Sequence, residues 1–249
     1  MCKSEPAGLY LHVPFCRRKC PYCDFYSVSG ADAACMEAYQ QAVCRNLRWY
    51  GNSAAVDSIY FGGGTPSLLP PDVIRAILTE AAACFSVQEP EVTLEVNPAT
   101  VTAQQIRAYR EAGVNRLSIG VQSLIPEELV LLGRLHTAEA AKQTVWAAAQ
   151  AGFSNLSCDL MLGTPGQTAD SLERTLNQLL ELPIVHLSAY LLKVEPGTPY
   201  AAQHMEQQAA DEDMAADLYL QTVNFLEQNG FLQYEVSNFA KPGFESRHN

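Results

Sequence analysis

The sequence is short of positive charge. Its 249 residues carry 16 Lys and Arg against 27 Asp and Glu, a formal net charge of −11. Nucleic-acid and polyanion binders gather Lys and Arg on one face, so this deficit argues against that class. Long apolar runs are also missing. None reaches the about eighteen residues of a membrane-spanning helix. The opening Met1-Cys2-Lys3-Ser4-Glu5-Pro6 has no apolar stretch of the signal-peptide kind, so no secretion is expected. No GxGxxG follows the first strand-like run, which counts against a dinucleotide-binding open sheet. Disorder is excluded by a chain that is 48% hydrophobic and only 17% charged.

Cysteine, by contrast, is plentiful at 8 residues. Without a secretory signal, such thiols are expected in the reducing cytoplasm, where clustered Cys bind metals or catalyse rather than pair.

Short β-like runs alternate with longer helical stretches. The runs are 9–13, 56–61, 92–96, 116–121, 156–160 and 186–191, and helices are predicted over 36–49, 71–84, 102–112, 137–151 and 169–182. Thr102 reads as an N-cap and Gly113 as a C-cap of the third helix. Most strand starts lie about 25–45 residues apart, the length of a βα unit with its loops. This pattern predicts an α/β fold with a parallel sheet curled into a partial or full barrel of the TIM type, with a doubly wound sheet as competitor. After Leu192 the character changes. Val194–Pro199 is turn-rich, 203–228 reads as a polar, acidic helix with a solvated face, and 231–239 reads as a strand. The chain is expected to be a fragment that stops inside a second domain.

The stretch Cys16-Arg17-Arg18-Lys19-Cys20-Pro21-Tyr22-Cys23 follows the first strand directly. Three thiolates at CxxxCxxC spacing on one short loop can converge on one metal centre. Structural zinc usually takes four ligands, and no nearby Cys or His completes that set. Three Cys therefore suggest a 4Fe–4S cluster with one iron left open, while a zinc module survives if an unseen fourth ligand exists. Other strand ends carry polar or glycine features: Gly62-Gly63-Gly64-Thr65-Pro66, Glu95-Val96-Asn97-Pro98, Gln122, and Asp159 before Gly163-Thr164-Pro165-Gly166. On a barrel these ends line the active mouth. Cys35, Cys44, Cys84 and Cys158 read as small core hydrophobes, Cys2 as disordered, and His12 as a satisfied core histidine. Arg17, Arg18 and Lys19 read either as a basic patch facing the cluster or an acidic electron donor, or as an exposed loop tip.

On these residues the sequence resembles the radical S-adenosylmethionine (SAM) superfamily, and within it the coproporphyrinogen III oxidase-like branch. Tyr10-Leu11-His12-Val13-Pro14-Phe15-Cys16 is similar to that branch's opening motif, and Phe61–Ser67 to its glycine loop. Arg116–Gln122 and Tyr234–Ala240 extend the likeness over nearly the whole chain. The resemblance implies a (β/α)6 partial barrel with Cys16, Cys20 and Cys23 holding a 4Fe–4S cluster. It implies that SAM chelates the open iron and is cleaved to a 5′-deoxyadenosyl radical when an electron arrives. It also implies SAM contacts from Tyr10, Gly63, Gly64, Thr65, Glu95, Gln122, Arg134 and Asp159. Arg134 would suit the SAM carboxylate through a two-pronged contact.

Two features bear on the branch. The oxidases of the family usually read CxxxCxxCxC, whereas Phe25 stands at the last position here. That is the pattern of the HemW heme chaperones, and Pro242–Asn249 is similar to the segment leading into their HNxxYW motif. The resemblance then implies residues 1–193 as radical SAM core and 194–249 as the start of a smaller C-terminal α+β domain. It makes His248 a candidate heme ligand, implies heme and a heme-acceptor protein as partners, and allows an acidic donor such as a flavodoxin or ferredoxin. Ser246 departs from the Cys common at its position, and the YW end of the motif is absent. The alternative is an oxygen-independent coproporphyrinogen III oxidase, an enzyme that decarboxylates propionate side chains.

Overall fold

The computed structural model describes residues 6–51 and 54–249; the reading of Cys2 lies outside them. Six parallel strands build one sheet in sequence order: β1 (Ala7–Val13), β4 (Ala55–Gly63), β5 (Ser86–Val96), β6 (Arg116–Gln122), β7 (Asn155–Leu162) and β8 (His186–Leu191). Two short strands, β2 (Phe15–Cys16) and β3 (Val28–Ser29), pair with each other and close the cysteine loop at its base. Helices α1 (Ala33–Tyr50), α2 (Pro71–Cys84), α3 (Ala103–Ala112), α5 (Ala138–Gln150) and α6 (Ala169–Leu180) return the chain between strands, with the short α4 (Pro126–Leu131) before α5. Because each strand pairs with its predecessor, the sheet winds in one direction, as a (β/α) barrel does and a doubly wound sheet does not. Among the described residues, β1 is not paired to the last strand, so the barrel is partial.

Strand alternation decides which side chains face inward. Val92, Leu94 and Val96 of β5, Leu117, Ile119 and Val121 of β6, and Leu156, Cys158 and Leu160 of β7 join the buried apolar core. Their alternating neighbours are Glu91, Thr93 and Glu95, Arg116 and Ser118, and Ser157 and Asp159. These face the barrel interior, which is therefore polar. The caps follow the sequence: Thr102 and Gln105 form a capping box on α3, and Gly113 closes it in the left-handed region.

Three expectations are corrected. The helix predicted over 203–228 is divided into α7 (Pro199–Ala202), a single turn at Met205–Gln207 and α8 (Glu212–Gln228). His204 takes a left-handed φ of 52°, and Asp211 caps α8 by accepting from Met214 N–H. The strand predicted over 231–239 is two short antiparallel ones, β9 (Leu232–Gln233) and β10 (Asn238–Ala240). The Glu235 carboxylate accepts from Ser237 N–H and from the Asn238 amide, curling the chain between them. Cys35 is exposed, whereas Cys44 and Cys158 are buried as expected. Arg17, Arg18 and Lys19 are exposed, as the loop-tip reading expects, and Arg17 and Arg18 also donate to the Ala99 and Gly133 carbonyls at 2.8 and 2.7 Å.

Strand β10 adds antiparallel to β8, so the chain beyond Leu192 continues the barrel's own sheet. From there the segment after Lys241 turns inward. The Ser246 hydroxyl and Arg247 N–H both donate to Glu91 Oε1, at 3.3 and 3.0 Å, closing the end of the barrel where the strands begin.

Candidate functional site

At the opposite end, where the parallel strands finish, lies a cavity of about 550 Å³. Cys16, Cys20, Cys23, Gly63, Gly64, Thr65, Glu95, Gln122, Arg134 and Asp159 all line it. These residues span most of the chain, and barrel curvature brings them together. Of the residues predicted from sequence, Tyr10 and His248 do not line this cavity. Tyr10 stands on β1 with its hydroxyl 3.3 Å from His12 Nδ1. His248 sits in the barrel interior on the side of the strand starts, with Nδ1 3.2 Å from Ser58 Oγ.

The cysteine loop is braced from three sides. The Thr65 hydroxyl donates to Cys16 Sγ at 3.5 Å, and Arg134 Nη1 lies 3.6 Å from Cys20 Sγ while Nη2 donates to the Gly120 carbonyl at 2.9 Å. Helix α7 clamps the loop's tip, with Tyr200 N–H donating to the Pro21 carbonyl at 3.0 Å and its ring edge-on to Tyr22. His12 is satisfied as expected, 2.9 Å from the Tyr26 carbonyl.

Glycine is required at the second strand end. Gly64 N–H donates to the Val13 carbonyl at 2.8 Å, and a Cβ there would fall 2.7 Å from the Phe15 carbonyl oxygen. Gly63 has φ 110°, and its Cβ would meet the His12 ring at 2.5 Å. The backbone is thus pressed against the base of the cysteine loop, and the cavity wall here is bare peptide.

Two buried carboxylates face the cavity. Glu95 is pushed up to about 7 by burial and by the neighbouring Asp159 carboxylate, although Tyr60 and Gly63 N–H donate to it. Burial likewise raises Asp159, which accepts from the Ser118 hydroxyl at 2.8 Å. The buried Arg134 guanidinium lines the same cavity. A pair of carboxylates and one guanidinium in the same cavity suits a ligand that carries cationic groups and a carboxylate of its own.

Sequence reasoning passed over Tyr60, Ser118 and Tyr190, which also line the cavity. The signal was present: Tyr60 alternates with the buried Ile59 and Phe61, so it had to face inward. At the mouth, Phe25, Tyr190 and Leu191 are exposed apolar side chains beside Lys193. Among the described residues, no helix is long and apolar enough to cross a membrane.

A partial barrel with three cysteines on the loop after its first strand defines a class, and the comparison agrees. Residues 10–179 match the model of the Radical SAM superfamily, and the chain belongs to that superfamily. It is 38% identical over 253 residues to the heme chaperone HemW of Escherichia coli, covering all of this chain and 66% of that protein. With the mitochondrial radical S-adenosyl methionine domain-containing protein 1 of Bos taurus it shares 41% over 251 residues, 99% of this chain and 57% of that one. Among solved structures, coproporphyrinogen III oxidase (HemN) from Escherichia coli superposes with a TM-score of 0.86 at 27% identity, covering 96% of this chain and 56% of that one. The chain thus spans about three-fifths of the length of these relatives.

Proposed function

We propose that this chain is the radical SAM core of a HemW-type heme chaperone, binding a 4Fe–4S cluster and SAM and delivering heme to an acceptor protein. The observation that carries the reading is the single cavity uniting Cys16, Cys20 and Cys23 with Glu95, Gln122, Arg134 and Asp159. The donor set fits the cluster. Cys16, Cys20 and Cys23 lie on one loop with no fourth Cys or His beside them in the sequence, a set that would hold three irons of a cluster and leave the fourth open. In the superfamily, bound cluster and SAM supply one-electron chemistry. Arg134 would hold the SAM carboxylate, Glu95 and Asp159 its cationic and ribose groups, and bare Gly63 and Gly64 backbone would admit it closely. The apolar rim of Phe25, Tyr190 and Leu191 beside Lys193 offers a face for a planar tetrapyrrole and a cation for its propionate.

His248 is the candidate axial ligand for heme; it stands at the other end of the barrel from this rim, on Ser58 and Tyr60, so ligation of a heme at the rim requires it to leave the barrel interior. Residues 1–193 form the cluster-bearing core in this reading, and 194–249 lead into a C-terminal part. We place the protein in the cytoplasm, with an acidic flavodoxin or ferredoxin as a fitting electron donor.

The test is heme titration of the cluster-loaded full-length protein. A Soret band that shifts in wild type and not in His248→Ala supports the reading; absence of binding overturns it. The close superposition on HemN keeps an oxidase reading in play. Anaerobic incubation with coproporphyrinogen, SAM and reductant decides it: protoporphyrinogen would identify the enzyme.

A further inference from the structure

His248 does not line the cavity, yet it packs on a residue that does. Its imidazole stacks on the Tyr60 ring, with centroids 5.0 Å apart and planes 24° from parallel. The Tyr10 ring lies over the same pair, 6.1 Å from His248 and 6.0 Å from Tyr60. Ser58 holds the imidazole Nδ1 at 3.2 Å, and the missing side chain of Gly8, where a Cβ would fall 2.9 Å from the same atom, leaves the ring its place. Tyr60 passes the constraint upward, because its hydroxyl donates to Glu95 Oε1 at 2.9 Å while Gly63 N–H holds Oε2 at 3.1 Å.

We propose that His248 is a positioning residue of the SAM site: the stack on Tyr60 fixes the phenol on Glu95 and so presents that carboxylate to the ligand. This rests on the reading above that Glu95 contacts SAM. A freely rotating Tyr60 would hydrogen-bond Glu95 only part of the time and would cost ordering entropy on ligand binding; the stack removes that cost beforehand. The segment containing His248 is therefore part of the site's support, although it arrives from the other end of the barrel. Whatever withdraws His248 from the stack lowers affinity for SAM, and by linkage SAM resists that withdrawal by the same factor.

The experiment is equilibrium binding of SAM to the cluster-loaded full-length protein under anaerobic conditions, with thermal midpoints checked for each variant. Tyr60→Phe removes the hydroxyl and keeps the ring; it is expected to weaken SAM about tenfold, the loss of one hydrogen bond to a charged group. His248→Ala is expected to weaken it about fivefold, whereas His248→Phe, which keeps a stacked ring, stays within about twofold of wild type. The decisive variant is the double one. If His248 acts through the Tyr60 hydroxyl, His248→Ala costs nothing more once Tyr60→Phe is in place. Additive losses, or wild-type affinity in His248→Ala, overturn the proposal while leaving the SAM site standing. A wild-type holoprotein that binds no SAM overturns the site itself, and the proposal with it.

Discussion

Tyr60 and Glu95, on adjacent strands β4 and β5, share a 2.9 Å hydrogen bond in the cavity wall, phenol to carboxylate. Even so, burial and Asp159 hold Glu95 up to about 7. A carboxyl whose folded pKa lies above its unfolded value stabilises the fold fully at low pH, and that stabilisation is lost as pH rises toward 7. Relative to wild type, Glu95→Gln should therefore gain stability between pH 5 and pH 8, on the order of 3 kcal/mol. Urea unfolding of the apoprotein at the two pH values measures it. Parallel behaviour of the two proteins would refute the ionisation assigned here.

The cysteines should separate cleanly. Cys16→Ser, Cys20→Ser and Cys23→Ser are each expected to abolish the broad visible absorbance of the reconstituted protein and its bound iron. Cys35→Ser and Cys84→Ser stand on the helices α1 and α2, outside the cavity wall, and should keep both. Iron analysis after anaerobic reconstitution gives the result. Iron retained by all three loop variants would end the cluster assignment.

Glu128 is a buried carboxylate with a bracing role. It accepts from Ser171 at 2.5 Å, Ser123 at 2.6 Å and Gln167 at 3.4 Å, tying together the loops that leave β6 and β7. Glu128→Ala strands these donors and opens a void, so a loss of about 3 kcal/mol is expected. Glu128→Gln keeps the volume and an acceptor and should cost less. Denaturant midpoints of the two variants rank them.

Gly64→Ala would drive a Cβ into the Phe15 and Val13 carbonyls at 2.7 and 2.9 Å, forcing the base of the cysteine loop to move. It is expected to lose bound iron. Gly152→Ala is the control: its φ is 90° with nothing within 4 Å of the new Cβ, so only backbone strain of about 1–2 kcal/mol is expected. Iron content together with thermal midpoints distinguishes a displaced loop from simple strain.

Much of this protein was legible before folding because the signals are local. Strand alternation, the Thr102 cap, the glycine at 113 and the CxxxCxxC spacing each depend on a few neighbouring residues, and each stands where the sequence places it. The polar residues at strand ends were equally readable, since a parallel βα array puts all such ends on one mouth. Signals that compete over longer spans were misread. The acidic stretch after Pro199 has helical composition throughout, but His204 in the left-handed region and the Asp211 cap divide it. Glu235 broke the last strand in the same way, by offering its carboxylate to backbone and side chain two and three residues on.

What the sequence by itself determined is the set of chemical groups and the end of the barrel to which they belong. Only the tertiary structure decided which of them meet. The curvature of the sheet sets Glu95 beside Asp159 and brings both into one cavity with Arg134. The inward turn after β10 lays His248 on Tyr60, 188 positions earlier in the chain. Such pairings depend on register, twist and a returning segment. These are properties of the whole sheet, which no short stretch of residues encodes.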